Sequence, residues 1–197
     1  MLDENTIRYP AKYFEALKIA KSIGFNLCSD ALTGNLLRTL AASKPQGKFL
    51  EMGTGIGQSA LWILEGMDSG STLLSVDNNR DWIALAEKLL ELDPRLSLQT
   101  ADGGEVIKSL RGQRFDLIFA DAWPGKYTHF EEILELVAPG GFYVIDDMLP
   151  QPTWPEGHQQ NVDALLGKLG ALEDFHVSKM NWSTGIVVCT RKKWLGR

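Results

Sequence analysis

Five short runs recur through the middle of this chain: "KFLEMG" (48–53), "TLLSVD" (72–77), "LSLQTAD" (96–102), "FDLIFAD" (115–121) and "GFYVIDD" (141–147). Each is nearly all apolar through its centre. A strand with one face in water alternates polar and apolar residues; one covered on both faces does not. Between the runs the apolar spacing becomes helical. Phe130, Ile133, Leu134 and Val137 form one stripe, behind a capping box predicted from Thr128 and Glu131. Val162, Leu165, Leu166 and Leu169 form another. Ahead of the first run, Tyr13, Leu17, Ala20 and Ile23 predict a helix opened by Pro10, and a second helix is expected over about 31 to 43. Two later runs, "DFHVSKMNW" (174–182) and "GIVVCTRK" (185–192), flank Ser183-Thr184 and predict a hairpin. The pattern predicts an α/β fold: a Rossmann-like, doubly wound sheet of seven strands, mostly parallel, with a C-terminal antiparallel hairpin and helices on both faces. A single domain is expected over 1–197, with leading helices in 1–45 and the core in 46–197.

Composition excludes several classes. With 197 residues, 44% hydrophobic, the chain can bury one sizeable core, and a net charge of −5 with mixed signs gives no footprint for nucleic acid. The basic stretch "RKKWLGR" (191–197) reads as a solvated tail or a phosphate contact. No apolar run approaches the ~18 residues of a membrane helix. The first residues carry early acids rather than a signal-peptide pattern. Cys28 and Cys189 are too few for a disulfide framework or a zinc site. A cytoplasmic protein acting on a small molecule is expected, with no nucleic-acid or membrane partner and a homodimer left open.

In doubly wound sheets, ligands bind beyond the carboxyl ends of the strands. After the first run stands "EMGTGIGQS" (51–59). Gly53, Gly55 and Gly57 allow a tight turn and close backbone approach at a helix N-terminus. The dinucleotide fingerprint wants glycine where Gln58 stands, and Glu51 does not belong to it either. Asp77 ends the second run, where a carboxylate can accept both ribose hydroxyls or cap a helix. Ala101 and Asp102 end the third, as an adenine edge or another cap.

These segments resemble the class I S-adenosylmethionine-dependent methyltransferases, and more narrowly the small O-methyltransferases related to catechol and caffeoyl-coenzyme A O-methyltransferase. The likeness runs through "FLEMGTGIGQSALWI", "LLSVDNN", "TADG", "FDLIFADAWPGKY" and "GGFYVIDDML". It implies S-adenosylmethionine as cofactor, held by Glu51, Gly53, Gly55, Gly57, Ser59, Asp77, Asn78, Ala101, Asp102 and Asp121. It also implies a divalent cation such as Mg²⁺ on Asp121, Asp146 and Asp147, which would offset their repulsion and activate a bound hydroxyl. The family has Asn at 147 and its catalytic lysine at 124, where this chain has Asp147 and Pro124. Lys126 is then a catalytic candidate or an exposed lysine. Asp147 is a ligand or part of an Asx turn.

His158, in the proline-stiffened "QPTWPEGHQQN", is the other candidate base, or simply opens the next helix. Trp123, Trp154 and Trp182 follow the fourth, fifth and sixth runs, and with Tyr127 and Met148 they would offer stacking surfaces to a flat acceptor, or else pack loops. Trp62 and Trp82 are expected in the core and Trp194 in the tail. His129 and His176 receive no function. The expected activity is cation-assisted O-methylation of a small, hydroxylated, flat molecule. A metal-independent methyltransferase and a catalytically silent cofactor-binding module stand as alternatives.

Overall fold

In the computed structural model, residues 6–91, 93–152 and 154–193 are described. Seven strands form one sheet: β1 (Lys48–Met52), β2 (Thr72–Asp77), β3 (Leu96–Thr100), β4 (Phe115–Ala120), β5 (Val137–Ile145), β6 (Phe175–Met180) and β7 (Ile186–Arg191). Their order is β3-β2-β1-β4-β5-β7-β6. The first five strands run parallel, and β7 lies antiparallel between β5 and β6, as the hairpin signal predicts. The described helices are α1 (Tyr13–Ile23), α2 (Ala31–Ala42), α3 (Gln58–Gly66), α4 (Arg80–Leu90), α5 (Gly103–Ser109), α6 (Phe130–Glu135) and α7 (His158–Gly170). The end of the basic tail, with Trp194, lies outside the described residues.

Apolar runs become strands because both sheet faces are covered. Along β4, Leu117 and Phe119 point into one layer with Leu37, Ile63 and Leu89 of α2, α3 and α4. Ile118 and Ala120 point into the other, with Ile107, Ile133, Val162 and Leu165 of α5, α6 and α7. Each such buried Leu, Ile or Phe contributes about 1.5–3 kcal/mol. No described helix is long and apolar enough to cross a membrane.

Three local expectations are corrected. The Thr128–Glu131 capping box does not form: the cap of α6 is His129, at φ 55° with no side-chain cap bond, while Thr128 Oγ1 turns back to donate to Trp123 O. Val137 leaves the α6 stripe and opens β5, which starts earlier than its apolar run. The buried face of α1 is Tyr13, Ala16 and Ala20, with Leu17 and Ile23 exposed. It is rotated because Tyr13 packs edge-on against Trp62, whose ring is fully buried.

Candidate functional site

β1 and β4 are neighbours, yet α3 packs on one face of the sheet and α6 on the other. The crevice between diverging connections is where such sheets bind ligands. Gly53 crosses it at φ 102°, and a Cβ there would sit 2.7 Å from Asp121 O. Gly55, at φ 51°, has its missing Cβ 2.9 Å from the Phe25 ring. Asp77 holds this turn in place: its Oδ2 accepts from Gly55 N at 2.8 Å and its Oδ1 from Asn79 N at 2.9 Å. The cap of α4 is therefore Asn79, and each Asp77 oxygen retains a lone pair for a ligand. Asp102 does cap α5, through Glu105 N, and also lines the crevice.

The crevice has two adjoining hollows, of ≈ 70 and ≈ 240 Å³. Both are lined by Gly53, Asp77, Trp82 and Asp121. The smaller adds Gly55 and Ser59, and the larger adds Asn78, Ala101 and Asp102. Three acidic side chains line them, and among the described residues no Lys, Arg or His does.

Glu51 lines neither hollow, which corrects its assignment as a direct ligand contact. It is fully buried; its Oε2 accepts from Ser75 Oγ, Ser75 Oγ is hydrogen-bonded to Thr54 Oγ1, and its Oε1 has no partner among the described residues. Burial pushes its pKa up to about 7 against the pull of those hydroxyls. The chain of hydroxyls fixes the glycine turn from beneath.

At the tips of β4 and β5 the three acids meet a lysine. Lys126 is 5% exposed, and its Nζ donates to Asp146 O at 2.6 Å, so it is not a solvent-exposed lysine. Asp146 is buried, its Oδ1 accepting from Thr184 Oγ1 and from Asp147 N. Asp121 Oδ2 accepts a long bond from Ser29 Oγ, 3.5 Å. Burial raises the Asp121 pKa well above the carboxylate range, Asp146 adding to the rise and Lys126 opposing it. Burial likewise lifts Asp146 to about 6. Asp147 sits at φ 55°.

The expected metal triad is not assembled here. Among the described residues no three His, Cys, Asp or Glu side chains gather as a metal centre. Protein donors bond one oxygen each of Asp121 and Asp146, and the buried Lys126 places a positive charge beside Asp146. The residues present do not fit the cation.

Beside Lys126, the Tyr127 and Trp123 rings meet at a tilt of 58° with centroids 4.9 Å apart, and His158 lies 5.2 Å from Tyr127, 4.7 Å from Trp154 and 5.9 Å from Trp123. Tyr127 OH and His158 Nε2 are hydrogen-bonded at 3.0 Å, while His158 Nδ1 is buried without a partner. Burial, then Lys126, lowers the His158 pKa, which keeps the ring neutral and able to accept a proton. Trp182 does not join this cluster: it packs in the opposite layer, with Met180 and Phe142. Met148 is buried in the core, its N–H bonded to Gly185 O, rather than offered to a ligand.

Two features escape the sequence reading. Trp82, expected in the core, is only half-buried and walls both hollows, with Phe25 edge-on at 5.0 Å. Residues 25–29 form a strap over the smaller hollow, tied down by Gln58 Nε2 donating to Ser29 O. The departure of Gln58 from the dinucleotide pattern was the signal for that tether.

Comparison with known proteins agrees with this architecture. Residues 50–148 match a family model described as a methyltransferase domain. A Mycolicibacterium vanbaalenii protein assigned as an O-methyltransferase is 33% identical over 147 residues, 72% of this chain and 65% of the relative. The chain spans just under two thirds of the length of that curated relative. The Bacillus cereus O-methyltransferase solved with S-adenosylhomocysteine superimposes with a TM-score of 0.81 at 20% identity, over 95% of this chain and 93% of that one. The O-methyltransferase TomG of Streptomyces achromogenes, solved with S-adenosylmethionine, gives 0.82 at 20% identity over 95% and 92%. At these identities the structural likeness is one of fold.

Proposed function

The chain belongs to the methyltransferase-domain family, and on that premise we propose that it transfers a methyl group from S-adenosylmethionine to a hydroxyl oxygen of a small, flat molecule in the cytoplasm. The observation that carries this reading is the charge of the crevice: the carboxylates of Asp77 and Asp102 line it beside the carboxyl of Asp121, with no Lys, Arg or His among the described residues of its lining. Such a cleft favours a cofactor bearing a sulfonium and an ammonium and disfavours a pyrophosphate.

The cofactor, when bound, supplies an electrophilic methyl group and leaves as a neutral thioether. The chain's part is positioning, since transfer needs in-line approach. The Gly53–Gly57 turn brings backbone close to the ligand, and Asp77 offers its free lone pairs to the ribose. Trp82 gives the nucleoside an aromatic wall. Trp123, half exposed, with Tyr127 and Trp154 offers a flat acceptor its stacking surface. His158, neutral and bonded to Tyr127 OH, takes the hydroxyl proton directly or through that phenol. No step passes through a divalent cation, because the acids present do not fit one.

Isothermal calorimetry against S-adenosylhomocysteine and NAD⁺ tests the cofactor assignment. Binding of the first and not the second is expected, and the reverse would overturn it. A screen of small phenols and hydroxylated acids with methyl-labelled cofactor then tests the acceptor class. Cofactor binding without transfer to any acceptor would favour the silent-module alternative.

A further inference from the structure

Lysine ammonium groups are rarely buried, because removing them from water is costly unless partners compensate. Lys126 is buried nonetheless, and the sequence around it is built to put it there. Pro124 forms an isolated bridge with Thr128, and Gly125 turns at φ 88°, where a Cβ would meet Ile133 Cδ1 at 2.5 Å. Three backbone N–H groups, of Lys126, Tyr127 and Thr128, converge on Trp123 O. This tight turn folds the lysine inward beneath the Tyr127 ring, 5.2 Å from its centroid. Its Nζ then donates across to Asp146 O, joining the tip of β4 to the tip of β5.

Protein donors take up one oxygen each of the Asp121 and Asp146 carboxyls. Ser29 reaches Asp121, and Thr184 with Asp147 N satisfies Asp146 Oδ1. Among the described residues no three His, Cys, Asp or Glu side chains gather to hold a divalent ion, and an ion placed at these acids would lie near an ammonium of the same sign, bonded to Asp146 O.

We propose that Lys126 is the built-in counter-ion of the β4–β5 tips, standing where the resembled family uses a divalent cation, and that this protein binds its cofactor and keeps its site assembled without metal. The inference rests on the methyltransferase reading for its cofactor clause alone. Lys126 acts as a positioning residue: it fixes Asp146 and, through it, the loop that carries the acceptor surface.

Thermal melting of the purified chain in EDTA, Mg²⁺ and Mn²⁺ tests this without any need for activity. The wild-type melting temperature and the affinity for S-adenosylhomocysteine are expected to be the same in all three. Lys126→Met and Lys126→Ala should melt lower in EDTA and gain a Mn²⁺-dependent rise, because their carboxylates have lost a counter-ion. Lys126→Arg, which keeps the charge, should show no such rise. Wild-type protein stabilised by Mg²⁺ or Mn²⁺, or losing cofactor in EDTA, would overturn the assignment. So would a Lys126→Met protein that ignores both ions. If the lysine variants do not fold, the wild-type arm decides. If S-adenosylhomocysteine binds under no condition, the methyltransferase reading falls and the melting arms still decide the counter-ion.

Discussion

The carboxyl edge of the sheet is built on two plans. At β1 and β2 the ligand surface is mostly backbone: Gly53, Gly55 and Gly57 turn the chain, and one carboxylate, Asp77, holds the turn. At β4 and β5 it is side chain, with Lys126, Tyr127, Trp123, Trp154 and His158 filling the space above three acids. A backbone surface accepts one ligand shape and tolerates little change. A side-chain surface can be re-cut by single substitutions, which suits a constant cofactor on one side and an adjustable acceptor on the other.

Four substitutions would break or sharpen that contrast. Gly53→Val should be the most severe, since it combines a left-handed backbone with a Cβ pressed on Asp121 O. A loss of about 3–5 kcal/mol is expected in urea unfolding, the sum of backbone strain and overpacking. A mild loss would mean that the backbone half is as adaptable as the other.

Glu51→Gln should act in the opposite direction. The folded acid titrates at about 7 against an ordinary 4.5, so the folded state holds its proton more tightly than the unfolded chain. This group therefore costs nothing below the lower value, and stability is lost as pH rises from 4.5 through about 7. The amide should stabilise the protein by about 3 kcal/mol at about pH 8 and by little at about pH 4, measured by melting across pH. An equal effect at both ends would remove the buried acid from the account.

Asp77→Ala should weaken S-adenosylhomocysteine by about 1–3 kcal/mol in calorimetry, the scale of charge-assisted hydrogen bonds lost to the ribose and the turn. On the side-chain half, Tyr127→Phe removes one bond to His158. It should cost about 0.5–1.5 kcal/mol of stability while changing turnover and its pH profile. Were its effect on cofactor affinity to match that of Asp77→Ala, the division of the edge into two plans would fail.

The same division explains what could be read from the sequence. The strands of the parallel core were legible because an all-apolar run has few other destinations. The glycine turn with Asp77 was legible because positive φ leaves a mark in residue type. Side-chain assembly leaves no such mark. Lys126 is two residues beyond the family's lysine, and only the folded Pro124-Gly125 turn sends it inward. Trp182 follows β6 in sequence but faces the opposite layer, since position along a strand fixes the edge and not the face. Trp82 sits on a helix and looks like core, yet its ring forms the cleft wall. The capping box failed for a related reason: the tight turn at 123–128 claimed Thr128 first.

The antiparallel insertion of β7 also has a consequence for how the chain is made. Asp146 obtains its hydroxyl partner from Thr184, 38 residues later. At synthesis rates of roughly 5–20 residues per second, that is a wait of about 2–8 s. During it the parallel strands can already pair, while the acid at the tip of β5 lacks its hydroxyl partner and the edge of β5 lies open to other chains. The last hairpin therefore covers the edge of β5 and completes the acidic tip in one event, and a chain that stalls before residue 184 would lack both.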